Sequence, residues 1–263
     1  MTLRAFRLIG LILLLAANPA LALDTSERGL YAQMLDTYTR PASDLAGTRV
    51  DYAGLARDPR WRETVAQLEA TPAALRSSRE QRLAFWINAY NIYAIDIVVK
   101  NLPVSSIRDI GNFFRPVWRR TVGTLDGKPV TLDGIEHQTL RPMGDPRIHA
   151  AIVCASLSCP SLRRVPYTPE GIDAELDAAA ETWLANPKKG LAVDRDQNQL
   201  RISKIFDWSE ADFEARGGVR GFVTHYAPPA ERNWLETSGT KARIRYFDYD
   251  WHLNGMATAP RPQ

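Results

Sequence analysis

The chain has 263 residues, of which 45% are hydrophobic and 24% are charged, a composition typical of a globular protein with a full core. Its 33 Lys and Arg residues and 30 Asp and Glu residues give a net charge of +3. Two of the basic residues lie in the leader described next, so the rest of the chain carries only about +1. This small charge argues against nucleic acid as a partner, and we expect none.

The N-terminus has the pattern of a secretory signal peptide. Arg4 and Arg7 precede an apolar run at residues 8–17, and Ala20-Leu21-Ala22 has the small residues of a cleavage site. The apolar run is too short to span a membrane, and no later stretch of the sequence approaches the required length without charges. We therefore predict a signal peptide at residues 1–22, a periplasmic or secreted mature protein, and no transmembrane segment once the signal is removed.

A long apolar helix follows the pattern Ser77-x-x-Glu80, which is typical of a capping box. We predict this helix over residues 81–100 and expect it to be central, because it is apolar on nearly every side. Asn88 and Asn91 interrupt the apolar surface on one face of the helix. Buried amides need partners, so these two either hydrogen-bond to backbone or face a polar cleft.

Strands are predicted on both sides of two turns. Asp126-Gly127 is a strong hairpin signal, and Asp196-Gln197-Asn198 separates a second pair of short apolar runs. The predicted pairs are residues 117–125 with 128–132, and 191–193 with 199–202. We predict one α+β domain over residues 23–256, in which the central apolar helix packs on a small, mainly antiparallel sheet. Residues 257–263 are predicted to be a disordered tail.

A short helix is predicted after Asp133, which together with Glu136 has the spacing of a helix cap. His137 and Arg141 lie one turn apart on the same face of this helix. Such a pair is more often a surface or packing feature than a functional site.

The segment at residues 146–160 contains His149 and the two cysteines of the chain, Cys154 and Cys159. The apolar residues 148–153 are bounded by prolines and small polar residues, which favours a buried strand. Side chains alternate along a strand, so His149 and Cys154 would point to opposite faces. Cys154 would then lie at the end of the strand, where open α/β sheets often place their chemistry.

Several motifs in this order resemble the domain-of-unknown-function 547 family. They are Leu83-Ala84-Phe85-Trp86-Ile87-Asn88-Ala89-Tyr90-Asn91, Asp133-Gly134-Ile135-Glu136-His137, the stretch from Ile148-His149 through Cys154 to Cys159-Pro160, and Phe206-Asp207-Trp208. The resemblance covers roughly residues 50–226. It implies the stand-alone exported bacterial form, because the leucine-zipper segment of the plant members is missing. It also implies a recurring set of residues: Asn88, Asn91, Glu136, His137, His149 and Cys154.

One interpretation of this set is a thiol enzyme. Cys154 would be the nucleophile, and a histidine would act as its base. We expect His137 to be that base and rank His149 second, because the predicted strand turns it away. Asn88 or Asn91 would orient the base or donate to an oxyanion. The reaction would be acyl transfer or amide-bond hydrolysis on a peptide or small molecule, without a cofactor, by analogy with papain-like and transglutaminase-like architectures.

The alternative is a non-catalytic binding or structural domain in which Cys154 and Cys159 form a disulfide. A disulfide would leave Cys154 without a free thiol to act as nucleophile, so the two interpretations differ in whether this one bond is present. A third possibility is zinc held by both cysteines and a histidine, although a second pair of ligands is missing. Between the cysteines, we expect Cys154 to be the functional thiol and Cys159 its resolving or structural neighbour.

Overall fold

Helices and short strands alternate along the chain, which a computed structural model describes over residues 22–26, 29–112 and 114–256. Residues 1–21 of the predicted signal peptide and the predicted tail at 257–263 lie outside the described residues. The α-helices are α1 (Leu30–Tyr38), α2 (Tyr52–Arg57), α3 (Pro59–Ala70), α4 (Arg79–Val99), α5 (Ile148–Ala151), α6 (Ile172–Leu184), α7 (Ile205–Trp208), α8 (Gly218–Tyr226) and α9 (Pro229–Glu236). A π-helix spans Gly134–Leu140, and 3₁₀ helices span Ala73–Arg76, Ile107–Ile110, Val117–Arg119, Arg141–Met143 and Glu210–Arg216.

The strands form three small sheets, and their pairing is mainly antiparallel. They are β1 (Thr39–Pro41), β2 (Thr48–Val50), β3 (Thr121–Leu125), β4 (Lys128–Thr131), β5 (Leu191–Asp194), β6 (Gln199–Ile202) and β7 (Arg243–Tyr246). The first two sheets are the antiparallel pairs β1–β2 and β3–β4, and in the third β6 pairs antiparallel with β5 and parallel with β7. The α+β class and both hairpins are confirmed, but the first strand begins at Thr121 and not at residue 117, because Val117–Arg119 form a 3₁₀ helix. The first hairpin turns on Asp126 and Gly127, whose φ angles of 52° and 73° are those that a two-residue turn requires.

Helix α4 is the centre of the fold, as predicted. The capping box at its start is formed by Ser78 and Gln81, one residue later than the predicted pair of Ser77 and Glu80. Ser78 Oγ accepts from the backbone N–H of Gln81 at 3.1 Å, and Gln81 Oε1 accepts from the N–H of Ser78 at 3.0 Å. Helices α2, α3 and α6, the π-helix and strand β3 pack around α4, so its surface is covered on nearly every side.

Two adjoining hydrophobic cores are joined by helix α6. The first core surrounds α4 and receives Ile172 and Leu176 from the start of α6. The second is aromatic: Trp183, at the other end of α6, stacks on Phe206 with ring centroids 4.6 Å apart. Because one helix contributes to both cores, the chain folds as a single domain. Within the described ranges, no helix is long and apolar enough to cross a membrane.

The strand predicted at residues 148–153 is wrong. Residues 148–151 form the single helical turn α5, and only Ile152 and Val153 are extended. The backbone here pairs with a side chain and not with a neighbouring strand. Asn91 donates from Nδ2 to the carbonyl of Ala151 at 3.0 Å and accepts from the N–H of Val153 at 2.8 Å.

The C-terminal segment, residues 247–256, runs back across the loop that follows Cys154. The N–H of Leu157 donates to His252 O at 2.8 Å, and the N–H of Asn254 donates to Ala155 O at 2.9 Å. The same segment reaches two other parts of the fold, because Leu253 N donates to Ser105 O and Met256 N donates to Val50 O. These long-range hydrogen bonds carry Tyr249 and Trp251 to the cysteines.

Candidate functional site

A cleft of about 220 Å³ gathers side chains from several separate parts of the chain. Helix α4 contributes Tyr90, the π-helix contributes Glu136 and His137, and α5 contributes His149. The segment after α5 adds both cysteines, and α7 and the C-terminal segment add aromatic side chains. The structure therefore places four of the six predicted site residues on one cleft.

A disulfide between Cys154 and Cys159 lines this cleft, with the Cα atoms 6.2 Å apart. Cys159 is buried and Cys154 is half-buried. The Tyr249 hydroxyl lies 3.3 Å from Cys154 Sγ and 3.1 Å from Cys159 Sγ, and Ser156 Oγ lies 3.0 Å from Cys154 Sγ. The disulfide predicted as one alternative is thus present.

The zinc alternative is wrong for this structure, because each sulfur is bonded to the other and neither is a thiolate. Across the part of the chain that the structure describes, no group of three or more His, Cys, Asp and Glu side chains is arranged to hold a metal ion.

His149 belongs to a hydrogen-bonded chain with Asp212 and Arg141. His149 Nε2 lies 2.7 Å from Asp212 Oδ2, and Arg141 contacts the same carboxylate through Nη2 at 2.9 Å and Nε at 2.7 Å. Burial by itself opposes ionisation of Asp212. The hydrogen bonds from His149 and Arg141 outweigh it and lower the pKa of Asp212 to about 2. The carboxylate therefore stays charged at neutral pH and accepts the Nε2 proton of His149.

The expected orientation of His149 is also wrong. The prediction that His149 and Cys154 face opposite ways assumed a strand between them. Because α5 is a helical turn followed by only two extended residues, both side chains line the same cleft.

His137 is half exposed and is oriented by Arg141. Arg141 Nη1 lies 2.8 Å from His137 Nδ1, and a guanidinium can only donate, so Nδ1 is the acceptor. The other ring nitrogen, Nε2, lies 3.9 Å from Asp133 Oδ1. The predicted pairing of His137 and Arg141 on one face is confirmed, although the element is a π-helix. Such π turns occur frequently at functional sites.

Glu136, on the same π-helix, lies beside two phenols. The Tyr90 hydroxyl is 3.5 Å from Glu136 Oε2. Burial, and then the charge of Glu136, raise the pKa of Tyr90 well above its ordinary value. Burial and the same carboxylate also raise the pKa of Tyr249, against the lowering effect of its hydrogen bond with Ser156. Both tyrosines therefore remain protonated hydroxyl groups over the physiological pH range.

The two asparagines of α4 bind backbone, which was one of the two alternatives predicted for them. Asn88 is bonded to both backbone groups of Tyr167, at 2.8 Å to its carbonyl and 3.0 Å from its N–H. Asn91 holds Ala151 and Val153 in the same manner, immediately before Cys154. Both asparagines are fully buried, and neither lines the cleft.

Sequence reasoning missed Asp212, Tyr249 and the tryptophans of the cleft as site residues. The available signal was the set of aromatic and acidic clusters in the second half of the chain, at Phe206-Asp207-Trp208, Asp212-Phe213 and residues 246–252. Asp212 lies 63 residues from His149, and Tyr249 lies 95 residues from Cys154. Spacing along the sequence cannot reveal partners so far apart.

Comparison with family profiles matches residues 74–184 to the family described as protein of unknown function, DUF547. Comparisons with curated proteins and with solved structures find no match. The matched range includes α4, the π-helix and the disulfide loop, whereas Asp212 and Tyr249 follow it. Residues 74–184 of the chain therefore match a DUF547 family domain.

Proposed function

We propose that the protein is a thiol-dependent acyl-transfer enzyme or amide-bond hydrolase whose nucleophile, Cys154, is stored in the disulfide with Cys159. The observation that carries the proposal is the position of His149. This histidine lines the same cleft as Cys154, and its Nε2 is held 2.7 Å from the Asp212 carboxylate. A nucleophile, a base and a group that orients the base are the components of covalent acyl transfer.

The hydrogen bonds favour His149 over His137 as the base. The Nε2 proton of His149 is bound by Asp212, which directs the lone pair of the ring to Nδ1, and no described residue hydrogen-bonds to that atom. His137 uses its Nδ1 lone pair to accept from Arg141 and therefore lacks a free basic nitrogen. Asp212 takes the orienting role that the sequence suggested for Asn88 or Asn91.

The catalytic cycle begins with reduction of the disulfide. A dithiol reductant supplies two electrons and two protons, which give two thiols and an oxidised reductant. His149 then takes the proton of Cys154, and the thiolate attacks the carbonyl carbon of the substrate. The C–N bond breaks as the amine leaves with the proton from His149. Water or a second amine, deprotonated by His149, releases the acyl group and restores the thiol.

The surroundings of Cys154 favour its thiolate. Tyr249 and Ser156 each place a hydroxyl within 3.3 Å of Cys154 Sγ, and a donor that reaches a thiolate lowers its pKa. Ala155, the next residue, has a φ of 61°, in the left-handed region that residues with a Cβ seldom occupy. Backbone strain of this kind is often found beside functional groups.

The test is the rate at which Cys154 of the reduced protein reacts with an acylating thioester probe across a pH series. We expect Cys154→Ser to abolish labelling and Cys159→Ser to label without prior reduction. His149→Gln keeps a donor for Asp212 but removes the base, so labelling near neutral pH should fall by about 10²-fold or more.

His137→Gln is the matched control and should change the labelling rate by less than tenfold. If His149→Gln and the wild type react at the same rate over the whole pH series, the proposed base and the enzyme assignment are both wrong. Peptide mapping of the labelled protein separates reaction at Cys154 from reaction at Cys159.

The second candidate is a binding domain in which the disulfide is permanent. The disulfide itself favours this function, together with the aromatic side chains that line the cleft beside it. If this second candidate is correct, Cys154 of the reduced protein should react with the acylating probe no faster than it does in the unfolded protein. Ligand binding should then be the same in the oxidised and reduced states.

We also propose export from the cytoplasm. The pattern of residues 1–22 supports it, and so does the disulfide, because such bonds persist in oxidising compartments. Intact-mass analysis of the protein from its native envelope should show a chain that begins near Leu23. Retention of residues 1–22 would contradict the proposal.

A further inference from the structure

One side of the cleft is built from four aromatic side chains that contact one another. Trp251 is the centre of the group, with its ring centroid 4.4 Å from Tyr249, 5.6 Å from Trp208 and 5.9 Å from Trp118. Trp208 is the most accessible, with 48% of its surface exposed. These four residues, the aromatic wall, come from three separate parts of the chain and meet only in the fold. Indole and phenol rings attract cations through their faces.

The cleft also contains two carboxylates that no lysine or arginine neutralises within the described structure. They are Asp133 and Glu136, at the start of the π-helix. The one arginine that lines the cleft, Arg141, is bound to the Asp212 carboxylate by two of its nitrogens. The histidine beside it, His137, uses its Nδ1 to accept from Arg141. The side chains that line the cleft therefore carry more negative than positive charge, although the Arg108 guanidinium lies over the ring of Trp251, 5.3 Å from its centroid.

Glu136 is close enough to the aromatic wall to act on the same ligand group. Its charge raises the pKa of Tyr249, a member of the wall, and that of Tyr90, in each case after the larger effect of burial. A positive group placed between the wall and Glu136 would contact ring faces and be neutralised by a carboxylate. Neutral ligands would gain only the first of these interactions, and anionic ligands would be repelled.

We propose that the cleft binds the alkylammonium group of an amine-bearing substrate, with the aromatic wall around the cation and Asp133 and Glu136 as its counter-charges. The inference rests on the proposed function in one respect, namely that the bound molecule is a substrate of Cys154. The ammonium group would belong either to the amine that accepts the acyl group or to a cationic side chain next to the scissile amide. Binding itself requires neither reduction of the disulfide nor a free thiol.

The experiment titrates the oxidised full chain with N-acetyl-lysine methylamide and follows tryptophan fluorescence and heat. The neutral N-acetyl-norleucine methylamide tests whether binding requires a charge on the ligand. N-acetyl-glutamate methylamide tests whether that charge must be positive. Butylammonium tests whether a free amine binds as well as a lysine side chain in a peptide. Tetramethylammonium tests whether the site prefers a primary or a quaternary cation. We expect the lysine derivative to bind at least tenfold more tightly than the norleucine derivative, and the difference to shrink as salt is added.

Two variants test whether the ligand binds in the cleft. Glu136→Gln removes one counter-charge, and Trp208→Leu removes an accessible ring whose loss leaves the hydrophobic cores intact. Each should weaken binding of the lysine derivative at least fivefold. Glu210→Gln is the control, because this carboxylate is exposed and does not line the cleft, and it should leave the affinity unchanged.

Equal affinity for the lysine and norleucine derivatives, preference for glutamate, or no saturable binding up to the millimolar range would each overturn the inference. The result is separable from the test of the enzyme. Ammonium binding without His149-dependent acylation would refute the enzyme and keep the binding site. Acylation that depends on His149 but shows no preference for amines would refute the ammonium site and keep the enzyme.

Discussion

The Asp212 carboxylate should stabilise the fold by an amount that depends on pH. Its pKa is about 2, against 3.8 for an ordinary aspartate, and only 21% of its side chain is exposed. This difference corresponds to about 2 kcal/mol of stability at neutral pH. Because the folded-state pKa is the lower one, the stabilisation is present above about pH 4 and is lost as the pH falls towards 2. At pH 3 about half of it, roughly 1 kcal/mol, should remain.

The perturbation is Asp212→Asn, which removes the charge but keeps an oxygen that can accept from His149 and Arg141. Urea unfolding of the wild type and the variant at several pH values between 3 and 7 gives the difference directly, and titrating groups that do not contact Asp212 cancel in it. Asp207→Asn is the control, because Asp207 forms an exposed ion pair with Lys204 and should contribute less than about 1 kcal/mol. A difference for Asp212→Asn below about 0.5 kcal/mol at pH 7, or one that does not fall with pH, would refute the reasoning.

Three further variants test the fold around the site by urea unfolding. Ser78→Ala should cost about 1 kcal/mol and Ser77→Ala only a few tenths, because Ser78 forms the capping box; equal costs would contradict this. Asn91→Ala should cost about 3 kcal/mol by leaving a buried carbonyl and N–H unpaired, and a cost below 1 kcal/mol would show that water replaces the amide. Burial lowers the pKa of Lys189 to about 7, so the unfolded chain holds more protons between pH 7 and 10, and wild-type stability relative to Lys189→Met should rise over this range; a flat difference would contradict the shift.

Local signals in the sequence predicted the parts of the fold whose partners are near in the chain. The hairpin at Asp126-Gly127 is an example, since its turn needs only the conformations of those two residues. The apolar character of residues 83–98 likewise required a helix covered on every side. The capping box was misplaced by one residue, because two serines in succession each have a polar residue three positions later.

The parts that failed depend on distant partners. The short run at 148–153, which has five apolar residues and His149, suits a buried strand as well as a buried helical turn, and periodicity cannot separate the two. The deciding contact is Asn91, about 60 residues earlier, which occupies the backbone groups that a neighbouring strand would need. Asp212 and Tyr249 were missed as site residues for the same reason. Tyr249 reaches Cys154 only because the C-terminal segment pairs with Ala155 and Leu157.

These same contacts bear on whether the site would keep its geometry if the disulfide were reduced, as the proposed function requires. Cys154 and Cys159 are five positions apart, so their bond closes a short loop and constrains the unfolded chain by only about 2 kcal/mol. The loop is held by other means: the C-terminal segment binds Ala155 and Leu157, and the buried Nζ of Lys189 donates to the carbonyl of Cys159 at 2.5 Å. None of these bonds involves sulfur. After reduction, Cys154 would therefore remain beside His149 and the aromatic wall, with its thiol free to react.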